Sequence, residues 1–597
     1  MVFIYWLLFL IFPGQLLVHK WDKLSGFQKM VLTIAISSSF WVISPWFIHL
    51  FQQKLNILAI IFQLIFMFIF AVQNWKRFSN IILGRAKYDF SLKSFFSSYG
   101  NQFYFVSIGL LLFSVGYLCV PFLFTLPPGC DISMHGYVTK LIFNQNGLPN
   151  TYRPILPVDY FGSYSSGYHC LTYFFSSCSL ESFLLGIQFV TGFSYIFCLL
   201  AIIFLFNFFY DFPIAVIAGI SCFAINHTIS GTIGWGGNPT ILAFAFCLIT
   251  ITLVLKGLDK LTWWCFLAAS FPFAAACLTH LIPFVGMIYL FLPIFAISFL
   301  RGNKKLRVGI LLKLAGFGLM ALFLLFPFFL NFKVDHSVLL KDMIKSWQFH
   351  MMSDTLSGHL FSDILPALGQ VKYRMGDAFF ITICLSTVVI ILNRKFLQLG
   401  IYWAVISFFF VLILNTSIWF LPLSELLYPE RIVFFLIVTA GLLICELLLI
   451  SAEVNIFLGK LRIRVFPILV SLLLLISLFK FNERYFSPQF SNSIRLDNSV
   501  KASFNWLEMK TPNNSIIEST YGDIGMWIPA FTNRASTGAH LHFIHIVNGI
   551  SDSLALQKGP RYYFITPLDS INKTKIFIVA KDFPTVFQSG RIKIKAK

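Results

Sequence analysis

Asp131 and His135 stand four residues apart in the segment Cys130-Asp131-Ile132-Ser133-Met134-His135-Gly136-Tyr137-Val138. On a helix this spacing puts an acid and an imidazole one turn apart on the same face, with Met134 and Val138 beside them. Such a pair could deprotonate a hydroxyl or hold a divalent cation. Plainer roles fit the same residues. Pro127-Pro128-Gly129 breaks whatever helix precedes it, Asp is a good N-cap for the surface-lying helix that would follow, and His135 could simply pack.

Other polar clusters recur at the edges of apolar runs. Phe161-Gly-Ser-Tyr-Ser-Ser-Gly-Tyr168-His169 closes the same segment. Gly234-Trp-Gly-Gly-Asn238-Pro239 and Thr279-His280 each separate two apolar runs, and Tyr428-Pro-Glu-Arg431 enters another. Near the C-terminus, Tyr521-Gly-Asp523-Ile-Gly-Met-Trp527 precedes Arg534 and the histidines 540, 542 and 545. Trp527 could stack on a sugar, with Asp523 or Arg534 hydrogen-bonded to its hydroxyls; turn and core roles suit these residues as well. The histidines lack the neighbouring Cys or acid that a zinc site would favour. The segment 332–377 mixes Asp and His without a metal-motif spacing, and its length suits a loop that closes over substrate.

The elements that must position these residues are set by composition. Of 597 residues 58% are hydrophobic and 11% charged, and the mean hydropathy is +0.80, so lipid must solvate much of the chain. About 14 spans of ~20 residues each are expected, centred near 2–18, 30–50, 55–74, 103–126, 183–208, 212–225, 239–256, 263–280, 282–300, 309–331, 378–393, 401–421, 431–451 and 465–480. The run at the N-terminus has no basic n-region and no small-residue cleavage site, so it reads as a first span and not a signal peptide.

The formal charge of +20 is gathered in short loops. Lys20, Lys23 and Lys29 lie in one, Arg301, Lys304, Lys305 and Arg307 in another, and Lys460, Arg462 and Arg464 in a third. Positive loops stay cytoplasmic, and one alternating path of these spans puts all of them inside. This distribution speaks for membrane topology and against a nucleic-acid partner. The same path puts the long polar segments 127–182, 332–377 and 481–597 outside. Residues 1–480 then form a transmembrane domain, and 481–597 a small non-cytoplasmic α/β domain, with strands expected at Tyr562–Thr566 and Lys575–Ala580. Eleven cysteines show no metal-finger spacing. Cys130, Cys170 and Cys178 share the first outer loop, which leaves a disulfide open.

A span, then an acid at the start of the first large outer loop, then a second helix resembles the GT-C glycosyltransferases. That superfamily includes protein O-mannosyltransferases, lipid A aminoarabinose transferases and oligosaccharyltransferase catalytic subunits. The Gly-Tyr168-His169 segment, Gly234 to Pro239, Thr279-His280 and Tyr428 to Arg431 resemble segments of such proteins. The resemblance is architectural, covers most of the membrane part, and rests on short motifs. It departs in one place, because Ile132 stands where many relatives carry a second acid.

The resemblance implies a mainly α, polytopic transmembrane bundle that takes a sugar from a polyprenyl-phosphate donor to a glycan, lipid or protein acceptor at the outer interface, with inversion. It implies Asp131 as base with His135 beside it. Arg431 is implied at the lipid phosphate, and Tyr168, His169, Asn238 and His280 along the cavity. A divalent cation is a candidate cofactor, with no ligand set assigned. The expected location is the cytoplasmic membrane if the cell is prokaryotic. Two other classes compete: a lipid or polysaccharide transporter, which would need intramembrane charges such as Glu446 and Lys313, and an O-antigen ligase or polymerase-like enzyme.

Overall fold

The computed structural model describes residues 2–19, 21, 24–75, 100–127, 129–153, 165–176, 183–260, 262–301, 304–331, 429–458, 461–485, 496–520, 524–538 and 559–597, with 377, 380, 381, 384 and 388. Everything structural stated below concerns these residues.

Helices dominate. In chain order they are α1 (Val2–Ile11), α2 (Gly14–Val18), α3 (Gly26–Leu50), α4 (Leu55–Gln73), α5 (Gly100–Cys119), α6 (Cys130–Gln145), α7 (Gly167–Ser176), α8 (Phe183–Phe209), α9 (Phe212–Ile225), α10 (His227–Trp235), α11 (Asn238–Lys260), α12 (Trp263–Thr279), α13 (Leu281–Arg301), α14 (Lys304–Asn331), α15 (Pro429–Glu453) and α16 (Val465–Tyr485). Among the described residues eight helices are long and apolar enough to cross a membrane, accompanied by four shorter apolar ones. The run expected as one span over 2–18 is two helices, because Pro13 interrupts it. The spans expected at 378–393 and 401–421 lie largely or wholly outside the described residues.

The bundle is built on α8 and α11, which pack on each other and are buried for most of their length. Helices α4, α5, α14 and α16 keep broad apolar faces exposed, as helices solvated by lipid must. At one end, Gln28 Nε2 donates to Asn207 Oδ1 at 3.1 Å, and Lys256 Nζ donates to Gln28 Oε1 at 3.4 Å. These bonds join α3, α8 and α11. Glu446, fully buried on α15, accepts from the Tyr210 hydroxyl. Lys313 lies over the Trp263 ring, 5.4 Å from its centroid. A short antiparallel hairpin, β1 (Asn455–Leu458) with β2 (Leu461–Arg464), joins α15 to α16.

The C-terminal part folds around a five-stranded sheet. Its strands are β3 (Ile516–Glu518), β4 (Ala535–Ser536), β5 (Arg561–Ile565), β6 (Thr585–Ser589) and β7 (Ile592–Ala596), in the order β4-β3-β5-β7-β6. β3 runs parallel to β4 and β5, and the other pairings are antiparallel. Helix α17 (Asn498–Lys510) and the single turns α18 (Ile528–Thr532), α19 (Pro567–Asn572) and α20 (Lys575–Val579) complete it. The strand expected at Tyr562–Thr566 is β5, whereas the one expected at Lys575–Ala580 is the helical turn α20. Thr574 decides the difference: its side chain accepts from the Phe577 amide and caps a helix.

Candidate functional site

Pro121 to Leu126 ends the α5 span in a tight turn whose freed carbonyls need partners. Gln188 on α8 supplies them, donating to the Phe124 carbonyl at 2.8 Å. Helix α6 then begins at Cys130, with Gly129 as its N-cap at φ +107 and without a side-chain cap. Asp131, read from the sequence as a candidate N-cap, is instead in the first turn. There the helix macrodipole favours a negative charge.

Gly129 can serve because Gly236 crosses it. A Cβ on Gly236 would lie 2.5 Å from the Ile132 amide nitrogen and 3.3 Å from the Asp131 carbonyl carbon, and Gly236 itself stands at φ +90. The Gly-Trp-Gly-Gly-Asn-Pro turn between α10 and α11 is therefore pressed against the backbone that carries Asp131. This close crossing explains the glycine that the motif places there.

Helix α6 was expected to lie on the surface, but Ile132 through Thr139 are all buried. The C-terminal domain covers it. A Cβ on Gly136 would lie 2.8 Å from the Trp527 ring and 3.5 Å from Ala530, and Asn144 Nδ2 donates to Asn533 Oδ1 at 3.2 Å. At its far end Asn146 adopts φ +51. Its carbonyl accepts from Leu55 N at 2.9 Å and its side chain from Asn56 N at 3.1 Å, which ties α6 to the start of α4.

Helix α7 brings the remaining groups. His135 Nδ1 and His169 Nε2 are 3.0 Å apart, with ring centroids at 5.1 Å. His135 is 6% exposed and His169 is fully buried. Burial, and secondarily the neighbouring His135, hold His169 well below the ordinary imidazole value, so it is neutral. Tyr168, also fully buried, is pushed upward by desolvation and keeps its proton. Its hydroxyl lies 3.0 Å from Thr191 Oγ1, to which Asn238 Nδ2 donates at 3.2 Å. Asn238 Oδ1 is buried and without a hydrogen-bond partner among the described residues. Thr191, a hydroxyl inside the apolar α8, was the one member of this chain not singled out from the sequence. Ser165 Oγ donates to the Cys277 carbonyl at 3.1 Å and fixes the start of α7 to the end of α12.

Asp131, His135, Tyr168, His169 and Asn238 thus gather at one end of the bundle. His280 lies at the end of α12 in extended backbone, and its Nδ1 accepts from Ile282 N at 3.3 Å. Arg431 is in the first turn of α15, and its side chain lies outside the described residues, as does Asp523. Trp527, 1% exposed, faces Gly136 and not solvent. Arg534 sits within the C-terminal domain, where its guanidinium donates to the carbonyls of Glu508, Thr511 and Thr532. Sugar contacts expected of these last two are not what their surroundings offer. Cys170 is a free buried thiol, pushed by burial up to about 12, so the disulfide left open does not run through it. Among the described residues no group of three His, Cys, Asp or Glu side chains could hold a metal ion; Asp131 and His135 offer two donors at most.

No protein-family model matches the sequence, and no curated protein matches it. Solved structures do match its fold. ArnT from Cupriavidus metallidurans in the apo state aligns with a TM-score of 0.52 at 11% identity, over 82% of this chain and 97% of that one. The same protein bound to undecaprenyl phosphate aligns with a TM-score of 0.51 over the same shares. The Archaeoglobus fulgidus oligosaccharyltransferase in the apo form also gives 0.51 at 11% identity, over 78% of this chain and 70% of that one. The chain thus shares the fold of these two solved proteins, a polytopic helical bundle.

Proposed function

We propose that the protein is an inverting membrane glycosyltransferase. It moves a sugar from a polyprenyl-phosphate donor to a hydroxyl of a glycan, lipid or protein acceptor at the outer interface. The observation that carries this reading is the position of Asp131, half-buried in the first turn of α6, with its backbone against Gly236 and one turn before His135, which pairs with His169. The solved ArnT bound to undecaprenyl phosphate, alike in fold, supports the donor class.

In the proposed step the acceptor oxygen attacks the anomeric carbon as its proton passes to Asp131. The bond from that carbon to the phosphate oxygen breaks, and polyprenyl phosphate leaves with the electron pair. Arg431, at the start of α15, is proposed to stabilise the charge that develops on the phosphate. Asn238 Oδ1, a buried acceptor open to a partner, suits a sugar or acceptor hydroxyl, since leaving it unmet costs about 1–3 kcal/mol. Among the described residues no three side chains make a metal site, and no step is assigned to a cation. A transport path draws little support from Glu446 and Lys313, which are engaged by Tyr210 and Trp263.

The test is transfer of labelled sugar in membranes carrying wild type or Asp131→Asn, supplied with polyprenyl-phosphate sugars. Gly129 is the N-cap, so the substitution leaves the start of α6 intact. The expected loss is about 10²- to 10⁴-fold, the usual contribution of a general base, at unchanged protein level. Full transfer by the variant removes Asp131 from the chemistry, and no transfer by wild type with any donor overturns the enzyme reading.

A further inference from the structure

Helices α3, α4, α12 and α14 leave a slot of about 190 Å³ between them, lined by side chains of all four, among them Phe40, Ile43, Ser44, Phe62, Phe271 and Phe323. The slot opens sideways, where α4 and α14 keep their apolar faces exposed: Phe323 is 59% exposed. Lipid solvates such faces, so an occupant enters from the bilayer and brings an apolar chain.

One polar atom interrupts the apolar lining. Ser44 is buried, and its Oγ has no hydrogen-bond partner among the described residues. A serine within a helix can turn its hydroxyl back to the carbonyl four residues earlier, as Ser39 does on the same helix, donating to the Ala35 carbonyl at 2.7 Å. Ser44 makes no such bond. Leaving a buried hydroxyl unmet is costly, and an occupant that carries a carbonyl oxygen meets it.

A charge stands at the end of the slot. Lys54, in the turn between α3 and α4, is exposed, and none of α3, α4, α12 and α14 contains Asp or Glu. Leu50 ends α3 six residues beyond Ser44, a rise of about 9 Å. That is close to the depth of one headgroup layer, ~5–8 Å, and a lysine stem can adjust for the difference.

We propose that the slot binds an anionic glycerophospholipid. Lys54 pairs with its phosphate, Ser44 donates to an acyl-ester carbonyl, and the chain lies among the phenylalanines. A polyprenyl phosphate offers a phosphate and an apolar chain but no ester, so the Ser44 hydroxyl favours the glycerolipid. The lipid also lies beside the join of α4 to α6, because Leu55 and Asn56, which follow Lys54, donate their amides to Asn146.

The test is native mass spectrometry of purified, delipidated full-length protein titrated with palmitoyl-oleoyl phosphatidylglycerol, with phosphatidylcholine of the same chains, or with undecaprenyl phosphate. Wild type is expected to hold one phosphatidylglycerol more tightly than phosphatidylcholine. Ser44→Ala should weaken phosphatidylglycerol binding about 2- to 10-fold and leave undecaprenyl phosphate binding unchanged. Lys54→Gln should weaken it about 5-fold and remove the preference over phosphatidylcholine. Ser44→Phe, whose ring fills the slot, should abolish it. Wild-type affinity in Ser44→Ala, or equal affinity of wild type for the two phospholipids, overturns the proposal. Displacement of phosphatidylglycerol by equimolar undecaprenyl phosphate also overturns it and gives the slot to the polyprenyl lipid. If Ser44→Phe does not accumulate, the Ser44→Ala and Lys54→Gln titrations decide. None of these outcomes depends on sugar transfer.

Discussion

A Cβ placed on Gly129 would lie 2.4 Å from the backbone nitrogen of Gly236. The start of the helix that carries Asp131 and the turn between α10 and α11 are thus in backbone contact, although 107 residues separate them. Neither side chain has room to be larger, and both residues hold positive φ.

Gly236→Ala should therefore disturb the site without touching a polar group. A side chain at this φ costs roughly 1–2 kcal/mol, and the added carbon overpacks the crossing by roughly 1–3 kcal/mol more. The expected outcome is a lower thermal midpoint in detergent and a strong loss of transfer. Wild-type transfer by this variant would show that the crossing does not position Asp131.

Trp527 acts from behind the same helix. Its ring is buried against Gly136, so Trp527→Ala opens a cavity between the C-terminal domain and α6, at about 3–5 kcal/mol. Hydrogen exchange followed by mass spectrometry should show faster exchange in Cys130–Gln145, with reduced transfer. Unchanged exchange there would mean that the domain does not clamp α6.

Arg534 is a second structural strut. One guanidinium satisfies the carbonyls of Glu508, Thr511 and Thr532 at 2.8–3.0 Å and Thr511 Oγ1 at 3.1 Å. Lys cannot reproduce that fork. Arg534→Lys should lower the stability of the C-terminal domain by about 1–3 kcal/mol, read as a fall in thermal midpoint. A large rise in KM for a sugar donor at unchanged stability would instead assign Arg534 to substrate.

Acid sensitivity follows from His169. Its native value lies well below the ordinary 6.5, so between the two the unfolded chain binds a proton that the native protein does not. Stability is then constant above pH 6.5 and falls as pH drops below it, by up to about 1.4 kcal/mol per pH unit. Thermal midpoints at pH 5 should be lower than at pH 7.5, and His169→Gln should narrow the gap. Equal midpoints for wild type would contradict the buried neutral state.

Much of this protein is determined by sequence alone, because spans and helix breaks are local properties. Apolar runs of sufficient length specify the membrane helices, and Pro127-Pro128-Gly129 specifies that α6 begins as a separate helix. The Asp131 and His135 spacing places both on one helix face without reference to any partner. What depended on distant contacts was decided only by tertiary structure. Gly129 and not Asp131 caps α6, because Gly236 leaves room for nothing larger. Trp527 and Arg534 have the composition of sugar-binding residues, yet packing of the C-terminal domain turns them inward. The pairing of His135 with His169, and the link of Tyr168 to Asn238 through Thr191, join residues from separate helices. No local pattern encodes such contacts, since they form only when burial brings α6, α7, α8 and α11 to one end of the bundle.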